Sequence, residues 1–478
     1  MLRKARIFLA CVFFIGITLL FVGIGQQWWG WMAKLQFLPS CLALNFAVIA
    51  GVLLLTILFG RIYCSVICPM GVFQDSIIWL RRKIGGKKHG FKHEHYRKPN
   101  NVIRWIMGLL LIATVIVGNQ FFITFLAPYS AYGRIVRSIV GLAEGESIIM
   151  PLLLTAGTTL VVIVVFAWFW GREYCNLLCP VGAVLGEAGR HPAFGFKIDE
   201  DKCVHCGLCG KRCKASCIDT KERKIDHSRC VDCFDCIGNC KQGAISYGLL
   251  WGNGSKKASE GQAEPDDKGR RNFIATAATV TGAAVAGNSI VASAQQKHLD
   301  GGLADVIDKQ VPERSERLVP FGAQSVKHFY DKCTACQLCV SACPNGVLRP
   351  STDLEHFLQP QMGYEKGYCR PECTACSDVC PAGAILPIKK EEKLITHIGV
   401  AHVNLDLCVV KRDEVSCGNC SRHCPVGAIR MVSVDGIKGQ VPTVAEEICI
   451  GCGACENLCP SRPISAITVN GLSEHRNG

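Results

Sequence analysis

The first 170 positions alternate between long apolar runs and short polar ones. Nearly unbroken apolar stretches cover about Ile7 to Gly25, Leu42 to Gly60, Val102 to Phe125, and Ile148 to Trp170. Each is long enough to cross a bilayer as a helix, so the pattern predicts an α-helical membrane domain of four transmembrane helices over residues 1–190. The third run is interrupted by Asn119 and Gln120, which leaves its outer end undefined. Beyond residue 190 the long apolar runs give way to dense cysteine motifs, with one polar interruption and one weakly apolar run between them.

Charge orients the apolar half. Arg3, Lys4 and Arg6 precede the first run, and the loop from Arg61 to Lys98 carries nine basic residues against Asp75 and Glu94. Lys and Arg resist translocation, so both segments belong in the cytoplasm. The loop near Trp28, Trp29 and Trp31 has only Lys34, while residues 127–147 balance Arg134 and Arg137 with Glu144 and Glu146; these face outward. Four crossings return the chain to the cytoplasm at Gly171, and the tryptophans form an interfacial belt. This topology accounts for the net charge of +13, and no nucleic-acid motif is present, so no nucleic-acid partner is expected. The four runs contain no histidine and the chain has no CxxCH, so haem is not expected. His89, His93 and His95 in the basic loop are expected to be solvated.

The 31 cysteines set the chemistry. Tyr63–Pro69 and Tyr174–Pro180 are two copies of RxYCxxxCPxG, with Arg61 matching Arg172 and Gly71 matching Gly182. Their thiols, Cys64, Cys68, Cys175 and Cys179, are read as a redox-active or metal-binding quartet assembled from both halves, against the alternative of two helix-end turns closed by proline. Cys11, Cys41 and Cys217 are read as incidental thiols.

Residues 191–250 hold two CxxCxxCxxxC runs. In this bacterial ferredoxin pattern the fourth cysteine of one run ligates the neighbouring cluster. Cys203, Cys206, Cys209 and Cys240 are therefore assigned to one [4Fe-4S] cluster, and Cys230, Cys233, Cys236 and Cys213 to another. Zinc would favour two CxxC arms instead. Lys214 and Lys241 replace the proline that usually follows the fourth cysteine, and a positive charge there favours the reduced cluster.

Four more sets lie in residues 297–478: Cys333, Cys336, Cys339, Cys343; Cys369, Cys373, Cys376, Cys380; Cys408, Cys417, Cys420, Cys424; and Cys449, Cys452, Cys455, Cys459. Each ends in CP, and none lacks a cysteine, so four further [4Fe-4S] clusters and a total of six are expected. Whether the sets pair first with second and third with fourth, or first with fourth and second with third, spacing leaves open. The fold expected of both regions is α+β and bacterial-ferredoxin-like, one two-cluster and one four-cluster domain. No GxGxxG, P-loop or paired catalytic carboxylates accompany them.

Between the cysteine regions, residues 251–269 form a polar linker. They lead into KGRRNFIATAATVTGAAVAG, whose Arg270 and Arg271 followed by a mildly apolar run make a twin-arginine export signal. Residues 270–296 are read as that signal or a fifth membrane segment, with Ala292-Ser293-Ala294 as a candidate cleavage site. Clusters assembled in the cytoplasm require export of a folded domain, so the twin-arginine export machinery is an expected partner.

Residues 1 to 250 resemble the ferredoxin-type membrane subunit NapH of periplasmic nitrate reductase systems, through four spans, two CxxxCP motifs and paired cluster runs. Residues 265 to 470 resemble the companion periplasmic subunit NapG and the methylamine-utilisation ferredoxins, through the leader and four cluster motifs. The resemblance implies an electron-transfer subunit of a quinol dehydrogenase module in the bacterial inner membrane. Quinol from the membrane pool would be the donor, with a periplasmic reductase or its cytochrome subunit as acceptor. The N-terminus and two-cluster domain would be cytoplasmic and the four-cluster domain periplasmic. The competing expectation is a redox assembly or activation factor for a periplasmic metalloenzyme.

Overall fold

The computed structural model describes residues 2–84, 96, 101–117, 125–144, 150–251, 307–353 and 355–477. The twin-arginine segment, the linker, His89, His93, His95, Asn119 and Gln120 lie outside the described residues.

All four apolar runs form helices, of unequal length. Leu2–Val22 and Met150–Trp170 have 21 residues each and are long and apolar enough to cross a membrane. Phe46–Phe59 has 14 residues and Asn101–Val117 has 17. The short helix is cut at both ends by local chemistry. The Asn45 side chain accepts from the Val48 N–H at 3.3 Å, and Gly60 ends it with a φ of 77°. At 1.5 Å per residue it spans about 21 Å. Large apolar side chains such as Phe8, Leu54, Trp105, Leu109 and Val161 stand exposed on all four helices. Water would oppose so continuous an apolar surface, whereas hydrocarbon accepts it.

Residues 127–144 depart from the outer loop expected over 127–147. Pro128–Ala143 is a helix that lies inside the bundle, with Tyr129, Ser130, Arg134 and Ser138 buried and only its Ile139 and Leu142 exposed among large apolar residues. Proline at its first turn and an apolar face of Tyr132, Ile135 and Val136 explain the helix. Charge counting missed it because Arg137 alone pairs with Glu144, at 3.5 Å, while Arg134 turns inward.

A ferredoxin-like unit packs at each end of the bundle. The first, from Phe194 to Leu249, closes with an antiparallel pair, Phe194–Ile198 against Ile245–Leu249. Its contacts fall at the start of Leu2–Val22 through Arg3 to Asp235 at 2.8 Å, and beyond the end of Met150–Trp170 through the Arg172 N–H to the Lys214 carbonyl at 2.8 Å. Arg104, in the first turn of Asn101–Val117, reaches the Ser228 hydroxyl at 2.9 Å.

The second unit, residues 307–477, meets the opposite ends. Leu338, Ala342 and Val379 join one apolar core with Ile17, Phe21 and Met32. Leu152 packs with Ala335 and Leu358, and Phe125 stacks on Phe357 at 5.9 Å. This unit is built from three antiparallel pairs, Leu348–Pro350 with Pro360–Met362, Ile429–Ser433 with Gln440–Val444, and Thr396–Val403 with Ile467–Asn477. Leu2–Val22 and Met150–Trp170 thus run between the two cysteine-rich units.

Candidate iron–sulfur sites and a buried cysteine quartet

The CxxC loops bend through residues with left-handed backbone: His205, Asp232, Phe234, Ala335 and Gln337 have φ between 48° and 67°. Such turns aim successive N–H groups into one concavity, which suits an anionic cluster. The closing cysteine of several sets also accepts from backbone, with Ala244 N–H on Cys240 Sγ at 3.3 Å, Ala428 on Cys424 at 3.2 Å and Ala466 on Cys459 at 3.3 Å.

The cages follow. Cys203, Cys206, Cys209 and Cys240 line one cavity, and Cys213, Cys230, Cys233 and Cys236 line another. In the second unit Cys380 stands within electrostatic reach of Cys333, Cys336 and Cys339, and Cys343 within reach of Cys369 and Cys376. Cys408, Cys417, Cys420 and Cys459 line one cavity, and Cys424 faces Cys449 and Cys452. The geometry therefore pairs the first set with the second and the third with the fourth. Among the described residues no three Cys, His, Asp or Glu side chains converge on a single ion; the thiols ring cavities, as a cluster requires and a lone zinc does not. Burial pushes most of these thiols up, Cys233 and Cys452 to about 12. A metal group that takes thiolate ligands offsets that cost.

Three neighbours change the picture drawn from spacing. Cys217, read as incidental, is buried on the same cavity as Cys213 and Cys230, its sulfur 3.5 Å from Cys213 Sγ. Three residues separate it from Cys213 and it stands outside both CxxCxxCxxxC runs, so spacing hid it. Lys214 is buried but ion-paired, to Asp75 at 3.4 Å and Asp235 at 3.1 Å. Those two carboxylates also hold Arg6, Arg172, Arg3 and Arg82. At Cys233 the charge of Lys214 is thus opposed by Asp75 and Asp235, which also reach it. Lys241 is exposed, and water screens it. Lys393, unremarked in the sequence, is buried with Nζ 3.2 Å from Cys369 Sγ and also donates to the Arg370 and Cys373 carbonyls at 2.6 and 2.7 Å.

Cys64, Cys68, Cys175 and Cys179 are all buried in the bundle core, near one another. The repeated arginines explain how two loops over a hundred residues apart are held together. Arg172 donates to the Cys64 carbonyl at 2.9 Å, and Arg61 donates to the Cys175 carbonyl at 3.3 Å, so each repeat's arginine ties down the other repeat's first cysteine. The repeated glycines permit this approach, since a Cβ on Gly71 would overlap the Cys64 carbonyl and one on Gly182 the Cys175 carbonyl. Burial pushes the Cys68 thiol up to about 12 and likewise raises Cys179. Thiols raised by burial, as Cys68, Cys175 and Cys179 are, share the character of the cluster cysteines rather than that of a reactive thiol.

A 4Fe-4S binding domain family matches residues 43–87 and 152–198, and a 4Fe-4S dicluster domain family matches 332–384 and 415–462. The only cysteines in the first two segments are the quartet. The dicluster segments span the first and second sets, and the fourth with all of the third but Cys408, the pairing that the geometry also gives. The chain thus carries segments of two 4Fe-4S ferredoxin-type domain families. It is 28% identical over 178 residues to ferredoxin-type protein NapH of Haemophilus influenzae, covering 37% of this chain and 55% of that protein. It is 30% identical over 156 residues to methylamine utilization ferredoxin-type protein MauN of Paracoccus denitrificans, covering 32% and 48%, and 34% identical over 146 residues to MauM of Methylobacillus flagellatus, covering 28% and 60%. The chain spans about half the length of the curated relatives it matches first. No solved structure matches it.

Proposed function

We propose that this chain carries electrons from membrane quinol, through the helical bundle, to an acceptor on the opposite side, with six [4Fe-4S] clusters in its ferredoxin-like units and the quartet as the redox site between them. The observation that carries the reading is the single-file order of cysteine sites. From the Cys203 cage the order passes to the Cys230 cage, whose Cys233 lies in reach of Asp75 and Lys214. Asp75 accepts from Arg172 at 3.0 Å, and Arg172 holds Cys64. Tyr63, in reach of Cys64, Cys68 and Cys179, leads to Tyr129, which faces Cys336 and Cys380. The Cys369 N–H then donates to the Cys452 carbonyl at 3.0 Å, so the Cys369 cage abuts the Cys449 cage, and the Cys408 cage stands last.

A cluster supplies one-electron carriage when bound. The chain's residues supply the rest: cysteine cages fix the order, the apolar junctions exclude water, and Lys393 and the Asp75 network set local charge. The four apolar helices would be the membrane crossings, with the first unit cytoplasmic and the second periplasmic, exported through Arg270 and Arg271.

The test uses membranes containing the full chain. A quinol analogue should reduce clusters seen by EPR, whereas reduction by a low-potential donor but by no quinol would sink the reading. In C64S/C175S, a donor confined to the cytoplasmic side should still reduce the Cys203 and Cys230 cages and no longer those of the second unit. An activation factor would instead leave a partner enzyme inactive even when artificial donors supply its electrons.

A further inference from the structure

Arg134 is fully buried, and all three of its guanidinium nitrogens are without a hydrogen-bond partner among the described residues. Its neighbours do not neutralise it. Ser130 and Ser138, one turn to either side on the same helix face, have unpartnered hydroxyls as well. Tyr174 and the thiol of Cys336 are the groups in electrostatic reach that favour its charge. A lone buried guanidinium costs several kcal/mol unless an anion faces it, and arginine does not discharge by losing its proton. The helix bearing it is pressed on the Cys336 loop, since a Cβ on the adjacent Gly133 would stand against the Cys336 carbonyl, and Tyr129 on the same helix faces Cys336 and Cys380.

We propose that Arg134 is the buried countercharge of the cluster held by Cys333, Cys336, Cys339 and Cys380, lent by the helical bundle to the second unit. A cluster with four thiolates is anionic and gains one more negative charge on reduction, so Arg134 favours its reduced form and raises its potential. Because Tyr174 adjoins the quartet, Arg134 stands at the step between quartet and cage and draws the electron toward the second unit. Arg134 is a positioning residue; it ligates nothing. The inference rests on the proposed cluster at these cysteines.

The experiment is an EPR-monitored redox titration of the full chain in detergent, with iron counted per chain. R134Q should keep its iron and lower the midpoint of one cluster by about 59 mV or more, a tenfold change in its reduction equilibrium, leaving the others in place. R134K should stay near wild type. If R134Q instead loses about four irons per chain while R134K keeps them, the countercharge is required for the cluster itself, which also supports the proposal. Full iron with no midpoint moved in R134Q, or iron lost equally from R134Q and R134K, would overturn it. C336S separates the two readings: unchanged iron there would remove the cluster, and with it the proposed function, whatever Arg134 does.

Discussion

Asp75 shows how much one residue can hold. It accepts from Arg6 at 3.1 Å and Arg172 at 3.0 Å and pairs with Lys214 at 3.4 Å, all nearly buried, at the junction of the bundle and the first unit. Burial alone would raise its carboxyl, but Arg172, Lys214 and Arg6 together hold it below the usual range. Asp75→Asn leaves buried cations uncompensated and should destabilise the junction by about 3–5 kcal/mol, read as a lower melting temperature of the detergent-solubilised chain. At the quartet, Gly182→Ala should loosen the junction of the repeats because the new methyl meets the Cys175 carbonyl and crowds the Arg61 Nη2 that reaches this carbonyl from the other repeat, and faster labelling of Cys64 and Cys175 by a maleimide would report it. Which cysteines share a loop was legible residue by residue, since CxxC spacing is enforced by one turn of backbone. Cys217, Lys393 and Arg134 were not, because each acts on a site built by segments far from it in the chain.

At the scale of elements, helices were legible from apolar runs, but their lengths and burial were not. Pro128–Ala143 reads as a charged loop by composition and is a buried helix, because the second unit and three bundle helices together supply a surface for it. The long strand Ile467–Asn477 carries a titration prediction. Burial lowers His475 to about 4, and neither ring nitrogen has a partner among the described residues. The unfolded imidazole takes its proton near pH 6.5, so the folded state is favoured fully above that value and loses the contribution as pH falls toward 4. Wild type should therefore lose on the order of 2 kcal/mol over that interval, and His475→Gln should flatten the difference in urea midpoints between pH 6.5 and 4.

For the whole molecule, the two cysteine-rich units owe their cores to the cages as much as to hydrocarbon: Cys333, Cys339, Cys408, Cys449, Cys452 and Cys455 are themselves buried core residues. Iron chelation under reducing conditions should therefore unfold these units while the bundle keeps its helices, seen as loss of the visible absorbance and strand signal with helical circular dichroism retained. By itself the sequence determined the chemistry, the motif sets and the apolar helices, since loop closure around a cage and helix periodicity are local properties. Only tertiary structure decided that the first set pairs with the second, that the two CxxxCP loops meet, and that the sites fall in single file. Those depend on contacts between segments tens to hundreds of residues apart, where packing of the apolar helices and the reciprocal Arg61 and Arg172 hydrogen bonds, rather than spacing, fix which loop faces which.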